Sequence, residues 1–476
     1  MQDFFIKDLV NAAKANLISG SSDLPIQNIS IDSRTIKEGD FFFAIKGENF
    51  DGHNFIPQAI EAGAAGIVVS KPINISKNIA IIEVSDTIIA LGEAAKAYRN
   101  SFKNLKVAAI TGSNGKTTTK EILFSILNRK YKTLANKGNF NNRIGAPLSI
   151  FELDSSYKYA VLEIGSSLFG EIDILANILA PDAAAITNIG CSHLETFQTP
   201  AGVFKEKKNI FKYLAKDGFI ALNTDDEYLN TFRHCRLNGC QAHNDRLIDS
   251  NDGHSEFKKV IDFSIQNKAS IYADNIKINK DGVSFILYIG SDSIPINSTQ
   301  KGETFIKNAL CAAAIASGFG FSINDIKIGI ENFTPPRMRM EITTLKSGAV
   351  IINDAYNANP SSMQESIKTI CATYADKDII LILGDMLELG VDSSKYHKEL
   401  GEFISKQKVK ASYLAGKDMS NTAQALKGGN VFYAPTAQDL LENLKTLSIT
   451  SNTVILVKGS RGMKMEIMIG MINKDI

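Results

Sequence analysis

The sequence lacks the cysteine pattern of a secreted scaffold. Its five cysteines, an odd number, are spread over 476 residues, whereas a disulfide framework uses an even set in a short chain. It also lacks an excess of either charge. A formal net charge of +1 excludes the concentrated basic surface of a nucleic-acid binder but leaves room for a local anion site. No apolar run approaches the roughly 18–20 residues that span a bilayer. Asp3 and Asp8 interrupt the first apolar residues, so no basic n-region and apolar h-region mark a leader. There is no internal repeat and no low-complexity tract. These absences leave a cytoplasmic globular protein with no nucleic-acid partner and no membrane insertion. Its 44% hydrophobic and 22% charged residues are ordinary for that class.

The length exceeds one core and suggests about three domains at about 100–200 residues each. The expected boundaries are 1–104, 105–334 and 335–476. The polar segment Arg99-Asn-Ser-Phe-Lys-Asn104 separates the first two, and Pro335-Pro336 opens the third. All three read as α/β. In the first, Ile29–Ile31, Phe41–Ile45 and Gly66–Val69 read as strands and Pro57–Ala64 as a helix. Asp86 is placed to cap a helix whose apolar face is Ile88, Leu91, Ala95 and Tyr98. In the second, the strand Val107–Ile110 precedes a Gly-rich turn and a helix with Ile122, Leu123, Ile126 and Leu127 on one face. Further strands are expected at Ala160–Ile164, Ala183–Thr187 and Phe219–Leu222. Apolar strands alternating with helices argue for a mostly parallel sheet. Ile276 and Ile278, then Asp281-Gly282, then Val283, Phe285 and Leu287 read as a small antiparallel hairpin added to it. The third unit repeats the alternation, with strands at Val350–Ile352, Ile379–Leu383, Ser412–Ala415 and Val454–Val457, the pattern of a Rossmann-like doubly wound sheet.

The strongest local signal is Thr111-Gly112-Ser113-Asn114-Gly115-Lys116-Thr117-Thr118-Thr119, which lies between an apolar strand and a helix. Backbone N–H groups of such a turn point inward and cradle phosphate oxygens. The helix N-terminus adds favourable dipole potential. Lys116 is placed to reach the β- and γ-phosphates and Thr117 to offer its hydroxyl to Mg²⁺. The generic P-loop has a Gly separated by four residues from the Gly-Lys pair, and Ile110 stands there instead. The shorter form is what matches.

That shorter turn resembles the one in the Mur ligase family, which also includes folylpolyglutamate synthetase. The resemblance runs along nearly the whole chain. Asp32-Ser33-Arg34, Gly39 to Ala44, Lys46-Gly47-Glu48 and Asp51-Gly52-His53 resemble the family's UDP-sugar domain. Asn139 to Asn142 with Gly145 and Pro147, Glu163-Ile-Gly165, and Thr187 to Gly190 with His193-Leu-Glu195 resemble the central domain. Asp354 to Pro360, Leu383 to Gly390 and Lys458-Gly-Ser-Arg461 are similar to the member that adds D-alanyl-D-alanine to UDP-N-acetylmuramoyl-tripeptide. The resemblance implies an ATP-dependent amide ligase of cell-wall precursor synthesis. Its small-molecule partners would be that tripeptide, D-Ala-D-Ala and ATP, and a monomer is expected.

The resemblance also assigns residues. Lys116, Glu163, His193 and Lys207 become the catalytic set, and Thr117, Glu163, His193 and Lys207 the holders of Mg²⁺, with Lys207 carbamylated. ATP would meet Thr111 to Thr118, Asn308, Arg339 and Asp354. Substrates would meet Ser33, Arg34, Lys46, Gly47, Asn141, Asn142, Asn357, Asn359, Lys458, Ser460 and Arg461. Asp385, Glu388 and His397 join them at the amine site. Each residue has a plainer reading. Lys205, Lys207 and Lys208 form a basic run that alone reads as a solvated helix face, and His193 alone reads as a loop histidine. The family's Glu two residues after the lysine is Asn209 here. Its usual His-Asn pair near the base is Thr304-Phe305, with Phe305 able to stack on adenine but not to donate a hydrogen bond. His234, Cys235, Cys240 and His243 have a spacing near that of zinc ligands, in a polar connection where the family carries none. The rival readings are another amide ligase of the family, a nucleotide-dependent switch, and a degenerate ligase kept as a scaffold.

Overall fold

The computed structural model describes residues 1–47, 50–75, 79–238, 259–445 and 447–472. Glu48, Cys240 and His243 lie outside the described residues, as do the side chains of 235–238. The chain forms three sheets. The first, in spatial order Asn16–Ser19, Ala80–Glu83, Gly66–Val69, Asp40–Phe43 and Asn28–Ser30, is parallel except for its first pair. Sequence reading missed Asn16–Ser19, whose residues are exposed or half-buried and lack a clear period.

The second sheet holds nine strands. Lys106–Thr111 lies between Ala183–Ile186 and Tyr159–Glu163, all parallel. Two apolar clusters cover its two faces, which explains why its central strands are apolar at every position rather than alternately. At the far edge, Ile271–Asn279, Gly282–Ile289 and Asp292–Ser298 run antiparallel, so the expected hairpin gains a third strand.

The third sheet has the order Glu341–Thr344, Val350–Asp354, Thr453–Lys458, Asp378–Gly384, Ala411–Ala415 and Asn430–Ala434, antiparallel only at its first pair.

The helix Thr87–Ser101 is capped by Asp86, whose carboxylate accepts from the N–H groups of Ile88 and Ile89. Leu91, Ala95 and Tyr98 are buried on its face, as expected. The helix continues past Arg99 into the segment read as a polar boundary. There Arg99 Nη2 donates to the Ala180 carbonyl at 2.9 Å and Tyr98 Oη donates to the Leu153 carbonyl at 2.6 Å. The first two units therefore share one apolar cluster rather than meeting across a bare linker. Among the described residues, no helix is long and apolar enough to cross a membrane.

Candidate active site

The phosphate-binding turn follows the strand Lys106–Thr111 and leads into the helix Lys116–Leu127. Two of its glycines are required by close approach. A Cβ on Gly112 would lie 1.9 Å from Thr187 Oγ1, and one on Gly115 would lie 2.2 Å from Asn308 Oδ1; both have positive φ. The turn is thus wedged between the neighbouring strand's loop and the helix Gly302–Gly318. The Ser113 N–H donates to the Asn188 carbonyl and the Asn114 N–H to Asn188 Oδ1, each at 3.0 Å. Those two amides are engaged within the protein. The N–H groups of Lys116, Thr117 and Thr118 open a helix and have no intrahelical acceptor, so they face the anion position. Thr111 lies beneath, fully buried.

Glu163 ends the adjacent strand, and its backbone is pinned on both sides by the Asn136 amide at 2.9 Å. Thr117 Oγ1 donates to Glu163 Oε2 at 2.5 Å and Asn141 Nδ2 to Glu163 Oε1 at 2.8 Å. Asn142 turns instead toward the start of the helix Gly145–Ile150, accepting from the N–H of Gly145 at 2.8 Å. Lys116 Nζ folds back on the Gly112 carbonyl at 2.8 Å. Desolvation pushes its ammonium pKa down; Glu163 opposes the shift and Arg339 adds to it.

Lys207 is 1% exposed at the end of the helix Pro200–Lys207, while Lys205 is exposed. The basic run is therefore not one solvated face. Burial first, then the charge of Lys116, pushes the Lys207 amine down to about 7. Its helix is held by Glu206, a residue sequence reading passed over. The Glu206 carboxylate accepts from the N–H groups of Gly170 and Ile172, each at 2.8 Å, and so caps the helix Glu171–Leu179 from outside. Desolvation raises the pKa of this carboxylate.

His193 has a left-handed backbone, φ 51°. Its Nδ1 lies 2.6 Å from Glu388 Oε2 of the third unit, and this contact lowers the pKa of Glu388. The Glu195 N–H donates to the Glu388 carbonyl at 3.1 Å. From the same unit, Asp354 and Lys458 end neighbouring parallel strands and pair in register. Lys458 Nζ lies 2.6 Å from Asp354 Oδ2 and also reaches the Asn357 carbonyl at 3.1 Å. The Arg339 guanidinium stacks 4.0 Å from the centre of the Tyr356 ring, a cation–π contact that fixes its plane.

A cleft of about 660 Å³ gathers these groups. It is lined by Ser113 to Thr118, Asn141, Asn142, Glu163, His193, Lys207, Asn308, Arg339, Asp354, Asn357, Asn359 and Lys458. It opens at the carboxyl ends of two parallel sheets, where open α/β folds place ligands. Asn188, Ser166, Tyr356 and Glu365 also line it and were not singled out from sequence. The signal for Asn188 was present, since Thr187 to Gly190 follow the strand beside the turn.

Other expected residues lie elsewhere. Ser33, Arg34, Lys46 and Gly47 are not among the cleft's lining residues. Arg34 is exposed and clamps Asp32, with Nη2 at 2.7 Å, holding that carboxyl down to about 2. Ser460 is buried, accepting from the Leu387 N–H and donating to the Ala358 carbonyl. Arg461 is exposed and pairs with Glu466 at 2.8 Å. His397 is fully buried and does not line an amine site. Its Nε2 accepts from the Met386 N–H, and its Nδ1 lies 2.8 Å from the Ser393 carbonyl, to which it donates. Asp385 accepts from the N–H groups of Asp418 and Met419. Both residues shape the loop that carries Glu388. Phe305 lines the cleft beside Asn308, but it is 5% exposed and packs 5.9 Å from Phe333, which leaves little of its ring free for stacking.

Residues 25–110 match the model of the Mur ligase family catalytic domain, 110–244 the Mur ligase middle domain, and 338–461 the Mur ligase glutamate ligase domain. The UDP-N-acetylmuramoyl-tripeptide–D-alanyl-D-alanine ligase of Bacillus subtilis is 34% identical over 97% of this chain and 96% of its own length. Its Escherichia coli counterpart is 33% identical over 94% and 93%. A MurF crystal structure from Acinetobacter baumannii superposes with a TM-score of 0.89 at 30% identity, covering 99% of each chain. MurF from Thermotoga maritima in complex with ADP gives 0.80 at 25% identity, covering 96% of this chain and 99% of that one. With three family domains in order and full-length relatives above 30% identity, this chain belongs to the Mur ligase family.

Proposed function

We propose that this chain joins D-alanyl-D-alanine to the terminal carboxylate of UDP-N-acetylmuramoyl-tripeptide, consuming ATP and acting as a monomer in the cytoplasm. The observation that carries the reading is the meeting of Lys116, Thr117, Glu163, His193 and Lys207 with Arg339, Asp354 and Lys458 in one cleft. The full-length relatives named for this reaction support it.

A carboxylate is a poor electrophile and must be activated first. The γ-phosphoryl group of ATP passes to the substrate carboxylate, giving an acyl phosphate and ADP. The dipeptide amine then attacks the acyl carbon, and phosphate leaves. The residues of this chain stabilise charge and hold geometry. The amides of Gly115 to Thr118 hold the phosphates. Lys116 leaves its carbonyl partners to balance charge on the moving phosphoryl group. Arg339 and Asp354 hold the nucleotide from the third unit, beside Asn308. Asn141, Asn142, Asn357, Asn359 and Lys458, with Ser460 and Arg461 next to them, form the substrate side. The UDP end docks on Ser33, Arg34, Lys46 and Gly47 of the first unit. In this division, 1–104 binds the UDP-sugar, 105–334 binds ATP, and 335–476 presents the dipeptide.

The oxygen pair of Thr117 and Glu163, already 2.5 Å apart, suits a hard cation that takes few protein ligands. A second ion would use His193 and Lys207. An ammonium offers no lone pair, so Lys207 fits only as its carbamate, and its lowered pKa supplies the neutral amine that carbamylation needs. Bound Mg²⁺ would neutralise phosphate oxygens. The test is phosphate release from ATP with each co-substrate omitted in turn. Release that requires both tripeptide and dipeptide supports the reading, and release independent of the dipeptide contradicts it.

A further inference from the structure

One side chain of the phosphate-binding turn is directed to the third unit. Asn114 Oδ1 accepts from Asn359 Nδ2 at 2.7 Å, and Asn114 Nδ2 donates to Ser361 Oγ at 2.8 Å. Ser361 Oγ donates in turn to Asn359 Oδ1 at 3.0 Å. The three side chains close a ring in which every contact has one donor and one acceptor. Asn359 and Ser361 open the helix Pro360–Thr373, and Asn359 caps it by accepting from the Ser362 N–H at 2.9 Å.

Asn114 is equally fixed on its own side. Its N–H donates to Asn188 Oδ1 at 3.0 Å, and its carbonyl accepts from Asn188 Nδ2 at 3.1 Å and from Thr187 Oγ1. Gly190 leaves space for the ring, since a Cβ there would come within 3.3 Å of Ser361 Oγ. The turn and the third unit are therefore joined through a residue whose backbone and side chain are both committed. Lys116 follows two residues later.

We infer that Asn114 is a positioning residue: its side chain latches the helix Pro360–Thr373 onto the phosphate-binding turn, so that the third unit is held where its substrate meets the nucleotide. The inference rests on the ligase reading for its kinetic consequence only. Without the latch, the amides of Gly115 to Thr118 still hold nucleotide while the grip of Arg339 and Asp354 loosens, so affinity falls less than turnover.

The test uses full-length Asn114→Ala, Ser361→Ala and the double variant. Phosphate release at saturating substrates gives kcat, and calorimetry with ADP alone gives nucleotide affinity and shows that each variant is folded. A part-buried pair of hydrogen bonds predicts a fall in kcat of about tenfold in either single variant. The double variant should be no slower than the slower single, because the ring acts as a unit. ADP affinity should fall by less than kcat, because the amides of the turn remain in place. Losses that multiply in the double variant, or a loss of ADP affinity equal to the loss of kcat, overturn the latch. Small-angle scattering carries the test independently of ligation. ADP-bound Asn114→Ala should be more extended than ADP-bound wild type, and identical profiles overturn the latch even if the chain ligates nothing.

Discussion

The central cleft and the face of the first unit carry cations of opposite kinds. Lys116 and Lys207 have their ammonium groups desolvated and their pKa values pushed down. Arg34 lies in solvent, tied to a carboxylate two residues away, and its pKa is raised. The first pair is held in a low-dielectric site before any ligand arrives, where each charge acts strongly on a reacting group. The second is exposed and screened by solvent, and on the proposed reading it would recognise a diphosphate rather than alter a barrier. On the proposed reading, the difference separates chemistry from recognition along the chain.

Breaking the central side should have the largest effect. Lys116→Ala removes one charge aimed at the phosphoryl group and should lower turnover by about 10²–10³-fold with an unchanged far-ultraviolet dichroism spectrum. Near-normal phosphate release in that variant would remove the phosphate-site argument.

The Lys207 side chain offers a pH test of burial. Its folded pKa of about 7 lies below the ordinary lysine value of 10.5. Below about pH 7 the amine is charged both folded and unfolded, and the burial penalty stands in full. Between about 7 and 10 the unfolded chain binds more protons than the folded one, so stability rises with pH. Lys207→Met lacks this slope. In buffer free of CO₂, the variant's stability advantage over wild type should be greatest near pH 6 and shrink toward pH 10 in denaturant titrations. Parallel pH profiles would contradict a desolvated amine.

Arg34→Ala sharpens the comparison from the other side. An exposed charge should change the KM for the UDP-substrate by less than about tenfold and leave kcat alone. A fall in kcat would move Arg34 into the chemistry. The smallest effect is expected at Phe305. Phe305→Leu should lower stability by about 1 kcal/mol and leave ADP affinity within about twofold, measured by thermal denaturation and calorimetry. A tenfold loss of affinity would return the ring to the base site.

Much of the cleft was legible because chemistry and local order coincide. The turn Thr111 to Thr119 stands between an apolar strand and an amphipathic helix, and Glu163 and Asp354 end apolar strands. Lys207 was legible only through resemblance, since a basic run on its own reads as solvated and only packing shows which lysine is buried. Glu206 was missed because its donors, the N–H groups of Gly170 and Ile172, lie more than 30 residues earlier. His397 was misread for a related reason. Both its ring nitrogens are used by backbone groups, Met386 in the neighbouring loop and Ser393 one turn back in its own helix, and nothing in the local pattern separates a structural histidine from a ligand. The continuous helix through Arg99 was hidden by polar residues whose partners, Ala180 and Asp182, belong to the next unit.

The most direct measurement follows oxygen. UDP-N-acetylmuramoyl-tripeptide carrying ¹⁸O in its terminal carboxylate is turned over with ATP and D-Ala-D-Ala, and the released phosphate is weighed by mass spectrometry. Activation through an acyl phosphate predicts one ¹⁸O in each phosphate and one left in the new amide. Unlabelled phosphate beside ligated product would contradict it.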